Sequence, residues 1–410
     1  VSGEYFATFL LFAALVYSMT GIPTFDRDTT LDTDYVSPLN RWIWIGLLLA
    51  ALPLLKQHGR AALCIARLSS PLLILFGYFA LTTTWALDPA IAERRLLFSI
   101  LQLLLLVILL APLRQSQGVQ LAVTAACLTV ALGDVATWVV MPNYAMTDEG
   151  FAGFQTQKNQ TGLMMMYGCL AAGTGCLLPT TFWRRAAWAG ALFTMLAILA
   201  LSRSTTSQVI VLVTPFLLVA VLLLTRLSDR LLLAVFTTSA ALLALAVFVY
   251  FATCDVIGRD PLLPLRGITF TDRLDLWQFV VEEIKKRPWF GAGYSSFWAI
   301  TPSVQPSLKK ITWFSIYTII NEGHDGYLDL LATCGIFGFV GGVSVVLLSL
   351  HRAFRALQRS TQRSAPLFHM ALLLALLIHN VTESNLFTNQ GVLALALMLC
   401  VLDLNKWQGR

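Results

Sequence analysis

The chain has 410 residues, 57% of them hydrophobic and 12% charged, where an ordinary soluble domain has about 45–50% apolar and about 25% charged residues. That composition excludes a water-soluble enzyme, because stretches of roughly 20 mostly apolar residues, each long enough to cross a bilayer, fill most of the sequence. The formal net charge of +6 points to nucleic acid only in a soluble chain; here its distribution between loops matters more than its sum, and no nucleic-acid partner is expected.

In chain order, apolar windows predict membrane helices centred near Ala13, Leu48, Leu75, Leu104, Val130, Gly168, Phe193, Val213, Ala241, Gly335, Leu374 and Leu395. The expected fold is an all-α polytopic membrane protein of about 12 transmembrane helices. The first window runs into an acidic loop without a small-residue cleavage site and is read as a retained helix. Arg94 and Arg95, beside the fourth window, are read as lipid anchors. Asp134 falls inside the fifth window, as a bundle-interior hydrogen bond or a supporting group, and its role stays open. The cysteines are scattered without metal-ligand spacing, so neither disulfides nor structural zinc are expected.

An even number of spans puts both termini on one side. With cytoplasmic termini, the inner loops collect Lys56, Arg60 and Arg67, then Arg114, Arg184 and Arg185, Arg226 and Arg230, Arg352, Arg355, Arg359 and Arg363, and finally Lys406 and Arg410. The opposite loops hold acids such as Asp26, Asp28, Asp32, Asp34, Asp148 and Glu149, as the positive-inside rule requires. The expected organisation is helices 1–9 in residues 1–252, a large outer loop over 253–323 between helices 9 and 10, and helices 10–12 in 324–410. Within that loop Trp277, Phe279, Val280 and Ile284 recur at helical spacing among charged residues, which predicts a helix lying along the membrane surface. Pro288, Gly291 and Gly293 are expected to end it and turn the chain.

Charged groups at the outer helix ends are the informative ones, since a charge near lipid is costly unless it serves something. Lys158 and Asn159 stand in GFQTQKNQTG, Arg203 in LALSRSTTSQ, Arg266 and Arg273 in LRGITFTDRLDLW, and His324 in NEGHDGYLDLL. Guanidinium groups at headgroup level suit a phosphate-rich ligand, because their donor fork pairs bidentately with phosphate oxygens and keeps its charge. Helices starting at Thr161 or His324 add N-terminal backbone donors. His324, beside an acid and a helix start, is placed to take a proton from an attacking hydroxyl. Bland readings stand beside these: Arg203 snorkelling to the interface, Arg273 in a helix-surface ion pair with Asp272 or Asp275, and Lys158 with Asn159 as headgroup anchor and cap.

At these positions the chain resembles the O-antigen ligase and polysaccharide polymerase superfamily of bacterial membrane glycosyltransferases. The likeness runs from KN at Lys158 through SR at Arg203 and TFTDRLDLW to HDGYLDLLATCGIFG, with Gly335 and Gly338 at the family's interval after His324, and ends with TES at Thr382 to Ser384. Asp325 stands where Asn, Ser or Gln is usual, and Asp272 where the arginine motif usually has Gly. The resemblance implies a bacterial inner-membrane enzyme, multi-pass, with its chamber open to the periplasm. It implies a donor glycan on undecaprenyl pyrophosphate, held by Arg203 and Arg273 with Arg266, Lys158 and Asn159 nearby, and His324 as general base. It implies direct inverting displacement with no metal or cofactor, arginines standing in for a cation at the leaving group. The acceptor implied for a ligase is lipid A-core oligosaccharide; for a polymerase it is a second carrier-linked repeat. A transporter is the main rival, but the helix centres are almost uncharged and the large loop has no counterpart in the first half.

Overall fold

A computed structural model describes residues 2–21, 38–113, 117–178, 180–259, 273–310, 312, 315, 320, 322–360, 363–388 and 391–408. Among the described residues the regular structure is helical apart from a hairpin of two two-residue strands, β1 (Met146–Thr147) with β2 (Gly150–Phe151). The helices are α1 (Ser2–Thr20), α2 (Pro38–Ala51), α3 (Pro53–Leu68), α4 (Ser70–Thr82), α5 (Pro89–Leu110), α6 (Gln117–Val140), α7 (Pro142–Ala145), α8 (Lys158–Gly175), α9 (Phe182–Ser202), α10 (Thr205–Leu224), α11 (Asp229–Val256), α12 (Arg273–Lys286), α13 (Gly326–Arg359), α14 (Ser364–His379) and α15 (Val392–Gln408). Every predicted helix centre falls inside one of them. Among the described residues five helices, α1, α6, α9, α10 and α13, are long and apolar enough to cross a membrane. The pair α2 and α3, bent by 82°, adds a sixth if it is one broken span. The chain is therefore a multi-pass membrane protein by helix length and hydropathy.

Two local features depart from the sequence reading. Lys56, Arg60 and Arg67 do not lie in a loop. They ride on α3, whose other face buries Leu54, Ala62 and Ile65. The bend before α3 falls at Pro53, which has no N–H to continue the ladder and restricts the residue before it. Arg95 is no simple lipid anchor either: its guanidinium donates to the carbonyls of Ser295 (2.6 Å), Trp298 (3.0 Å) and Ala299 (2.5 Å). At the start of the same helix the Asp88 carboxylate caps Ile91 N–H at 3.1 Å and accepts from the Thr301 hydroxyl at 2.5 Å. The head of α5 thus fixes the segment 295–301.

A helix stands where one was expected in the loop, α12, and its apolar stripe faces protein. Leu276, Phe279 and Val280 are buried in one cluster with Phe297, Trp298 and Ala332. The turn after it uses Gly291 (φ 68) and Gly293 (φ 98), where a left-handed backbone favours glycine.

Helix α13 is broken at Gly335, whose φ is 65° and ψ −171°. The backbone groups freed there find partners in the segment after α12. Ala292 N–H donates to Ala332 O at 2.9 Å and Gly293 N–H to Thr333 O at 2.8 Å, while Ile336 N–H donates to Pro288 O at 2.9 Å. The Tyr78 hydroxyl donates to the Cys334 carbonyl at 2.8 Å. The break therefore leaves few unpaired groups in the membrane, where each would be expensive. A Cβ at residue 335 would lie 2.3 Å from the Trp289 carbonyl oxygen. Gly335→Ala is expected to destabilise the protein by about 1–3 kcal/mol, read as a lower unfolding temperature in detergent; an unchanged temperature would show that the stitch is dispensable.

Candidate functional site

Three chain segments meet at the head of α13. The first is the turn 322–325. Asp325 caps the helix, its carboxylate accepting from Tyr327 N–H and Leu328 N–H, both at 2.9 Å, as a short acidic side chain at that position does. His324 precedes it with a left-handed φ of 51°, uncommon for a residue with a Cβ and a mark of a conformation imposed by its surroundings. The second is the turn 380–385 after α14. The Asn380 carbonyl accepts Gly326 N–H at 2.8 Å, and its side chain accepts Asn385 N–H at 2.8 Å. The third is α12, where the Trp277 indole donates to the Gly323 carbonyl at 3.0 Å.

Asp329, one turn into α13, ties these together from inside. Its buried carboxylate accepts Gly323 N–H at 2.8 Å, the Trp298 indole at 2.7 Å and the Ser384 hydroxyl at 2.5 Å. Such a fully partnered buried carboxylate sets geometry more than it adds stability. It holds the His324 turn, the 295–301 segment and the 380–385 turn in one register.

On that frame, His324 Nδ1 lies 3.0 Å from Glu383 Oε2 and 3.1 Å from Glu322 Oε1. Both contacts use Nδ1, and no hydrogen bond among the described residues occupies Nε2. Glu383 also receives Arg273 Nη2 at 3.3 Å, and Arg273 Nη1 donates to the Thr382 carbonyl. Burial alone would push the imidazole's pKa down; the hydrogen bonds and charges of Glu322 and Glu383 outweigh it and raise it to about 9. Burial would push the Glu383 carboxyl up, but His324, Arg273 and His379 hold it below the usual carboxylate range.

His324, Glu322 and Glu383 open onto a cavity of about 450 Å³. Its other walls include the end of α1, His379 and Asn385, and the first turns of two helices: Gln157, Asn159 and Gln160 at α8, and Ser204 and Thr206 at α10. Neither helix has its N–H groups capped by the N-cap side chain. Gln160 N–H of α8 turns back to the Gln157 carbonyl at 3.1 Å, and the first-turn N–H groups of a helix carry partial positive charge that favours an anion.

The sequence-predicted residues distribute unevenly about this cavity. Asn159 lines it. Lys158 does not, and pairs instead with Glu149 at 3.5 Å. Arg273 and His324 share the Glu383 carboxylate, so among the described residues Arg273 pairs with Glu383 rather than Asp275, and Asp272 lies outside those residues. Arg203 is the left-handed C-cap of α9 (φ 53°), an exposed side chain one residue before Ser204 of the cavity wall. Arg266 lies outside the described residues. Asp134 accepts Phe154 N–H at 3.1 Å and so pins the turn leading to Gln155 and α8. Glu322 and Glu383 were missed by residue type alone; the only signals were the NEGH and TES contexts. Glu322, His324 and Glu383 bring three ligand atoms within 4.8 Å of one another, but the Arg273 guanidinium competes for the Glu383 carboxylate.

Residues 190–343 match the family described as O-antigen ligase. That segment, and not the chain as a whole, is what is similar to the O-antigen ligase family. The match covers Arg203, Arg266, Arg273, Glu322 and His324, and ends within α13. The matched segment thus contains the histidine turn and its arginine partner, while Asn159 and Glu383 reach the same neighbourhood from outside it. No curated protein matches the chain.

Proposed function

We propose that the protein is a glycosyltransferase of the periplasmic face of the bacterial inner membrane, an O-antigen ligase that moves a glycan from undecaprenyl pyrophosphate to lipid A-core oligosaccharide. The reading rests on one observation above all: His324 and Arg273 meet on a single carboxylate, Glu383, and His324 and Glu383 line a cavity that the first turns of α8 and α10 also line. It includes a twelve-span topology with both termini cytoplasmic, supported by the basic residues Arg184, Arg185, Arg226, Arg230, Arg352 and Arg355 at the helix ends away from the cavity.

In the proposed reaction the acceptor oxygen attacks the anomeric carbon, the bond from that carbon to the pyrophosphate oxygen breaks, and the configuration inverts. The hydroxyl proton passes to Nε2 of neutral His324, while Nδ1–H donates to Glu383 and Glu322, whose charges stabilise the imidazolium as it forms. Negative charge grows on the leaving pyrophosphate. Arg203, Arg273 and Asn159, with the α8 and α10 N–H groups, supply preplaced donors that gain strength in the transition state, and the resemblance assigns Arg266 and Lys158 to the same anion. Nothing in this scheme calls for a metal ion.

A reconstitution tests it. Purified protein in nanodiscs receives undecaprenyl pyrophosphate-linked glycan with either lipid A-core or a second carrier-linked repeat. Product with lipid A-core alone is expected; product with the carrier-linked repeat alone makes the protein a polymerase, and no product with either removes the glycosyl-transfer reading.

A further inference from the structure

The far end of α12 lines a second cavity, of about 320 Å³. Lys286 and Arg287 line it together with Lys309 and Lys310, and among the described residues Glu283 is the one carboxylate in its wall. Phe297 and Ala332 give it an apolar floor. Two of these cations are already paired, Lys286 with Glu283 at 2.5 Å and Lys310 with Glu282 at 2.6 Å. Arg287 and Lys309 are exposed, and no ion pair among the described residues involves either. A solvated face spreads like charges over a convex surface. Here two sequence-adjacent basic pairs, about 20 residues apart in the chain, are turned toward one concavity, where an anion relieves their mutual repulsion.

We propose that this cavity is a second anion site, which takes a phosphomonoester on the sugar headgroup of the acceptor glycolipid. The proposal rests on the glycosyl-transfer reading above and names a subsite for its acceptor. Helix α12 sets the spacing. Its first residue, Arg273, touches Glu383, and its last, Lys286, lines the second cavity, 14 residues in all. At a rise of about 1.5 Å per residue the two sites lie about 20 Å apart. A glycolipid that offers a hydroxyl to His324 and carries its phosphate several sugars away spans that distance; one with phosphate beside the reacting hydroxyl does not. The planar fork of Arg287 suits phosphate oxygens, Lys309 adds a point charge, and the apolar floor suits a sugar face.

Anionic phospholipid offers the same phosphate chemistry, so the test separates the sources. Full-length protein in phosphatidylcholine nanodiscs is titrated with a fluorescent glucosamine disaccharide bearing two phosphomonoesters, with its dephosphorylated form, and again with phosphatidylglycerol in the disc. The double variant Arg287→Glu with Lys309→Glu is expected to bind the phosphorylated probe at least about tenfold more weakly, about 1.4 kcal/mol. It should bind the dephosphorylated probe as wild type does. Arg287→Gln with Lys309→Gln should fall between. In transfer assays the charge-reversed variant should raise KM for phosphorylated acceptor and leave kcat unchanged. Equal affinity of wild type and variant for the phosphorylated probe overturns the site. Wild-type affinity that is the same with and without the probe's phosphates, together with phosphatidylglycerol binding lost in the variant, makes it a bulk-lipid contact and overturns the acceptor assignment. Phosphate-dependent probe binding that the variant loses, in a protein that transfers no glycan from any donor, leaves the anion site standing and sinks the transfer reading alone.

Discussion

His324→Ala is expected to lower glycan transfer by about 10²–10⁴-fold, the contribution of a positioned proton acceptor, while the protein keeps its unfolding temperature. The side chain is 28% exposed and its ring contacts are the carboxylates of Glu322 and Glu383, so truncation opens space to water and leaves no packed void. The pH profile gives a sharper reading than the loss alone. Because Glu322 and Glu383 overcome burial and raise the imidazole to about 9, the resting group is an imidazolium at neutral pH and must shed a proton before it can accept one. A base with a raised pKa is scarce below that pKa and abundant above it, so kcat/KM should climb with pH and level off beyond about 9. Arg273 and His379 act on the same group through Glu383. Glu322→Gln removes one of the two raising charges and leaves the Arg273 contact intact, so the rising limb should move to lower pH. A profile in wild type that is flat between about pH 6 and 9 would rule out His324 as the base.

How far this site could be read from the sequence depends on whether the signal is local. The helix centres were legible because long apolar runs answer directly to the bilayer, and all of them sit in helices. Helix α3 was misread because Lys56 and Arg60, one turn apart, look like a basic loop until the buried stripe of Leu54, Ala62 and Ile65 is placed against neighbours. The break at Gly335 was invisible for a different reason. It exists only because residues 288–293 supply the missing hydrogen-bond partners, and those lie more than 40 residues away in the chain. Glu383 is the same case at the site. It reaches His324 across 59 residues, through a turn that Asn380 and Ser384 hold, and no spacing rule connects the two. Arg95 marks the limit of composition: a cation at a helix head reads equally well as a lipid anchor or as a donor to three carbonyls, and only tertiary structure decides.

Arg273→Ala is expected to cost about 10²–10³-fold in transfer, the usual effect of removing one preplaced donor from a site where charge develops. Its geometry makes the argument more specific than charge alone. One planar fork spans the Thr382 carbonyl and the Glu383 carboxylate, fixing the turn that carries the partner of His324 and leaving the guanidinium beside the cavity. Lysine keeps the charge but has no fork, so Arg273→Lys should recover little of the loss. Two contributions can then be separated. If the guanidinium holds the leaving pyrophosphate, Arg273→Ala weakens binding of undecaprenyl pyrophosphate as well as turnover, and Arg203→Ala does the same without moving the pH profile, since Arg203 has no contact with Glu383. If Arg273 only braces the turn, carrier affinity stays at the wild-type value and the loss appears in kcat, with the pH limb displaced because Glu383 no longer sits against the imidazole. Unchanged carrier affinity in both alanine variants would remove the arginines from the pyrophosphate site and leave the first turns of α8 and α10 as its anion holders.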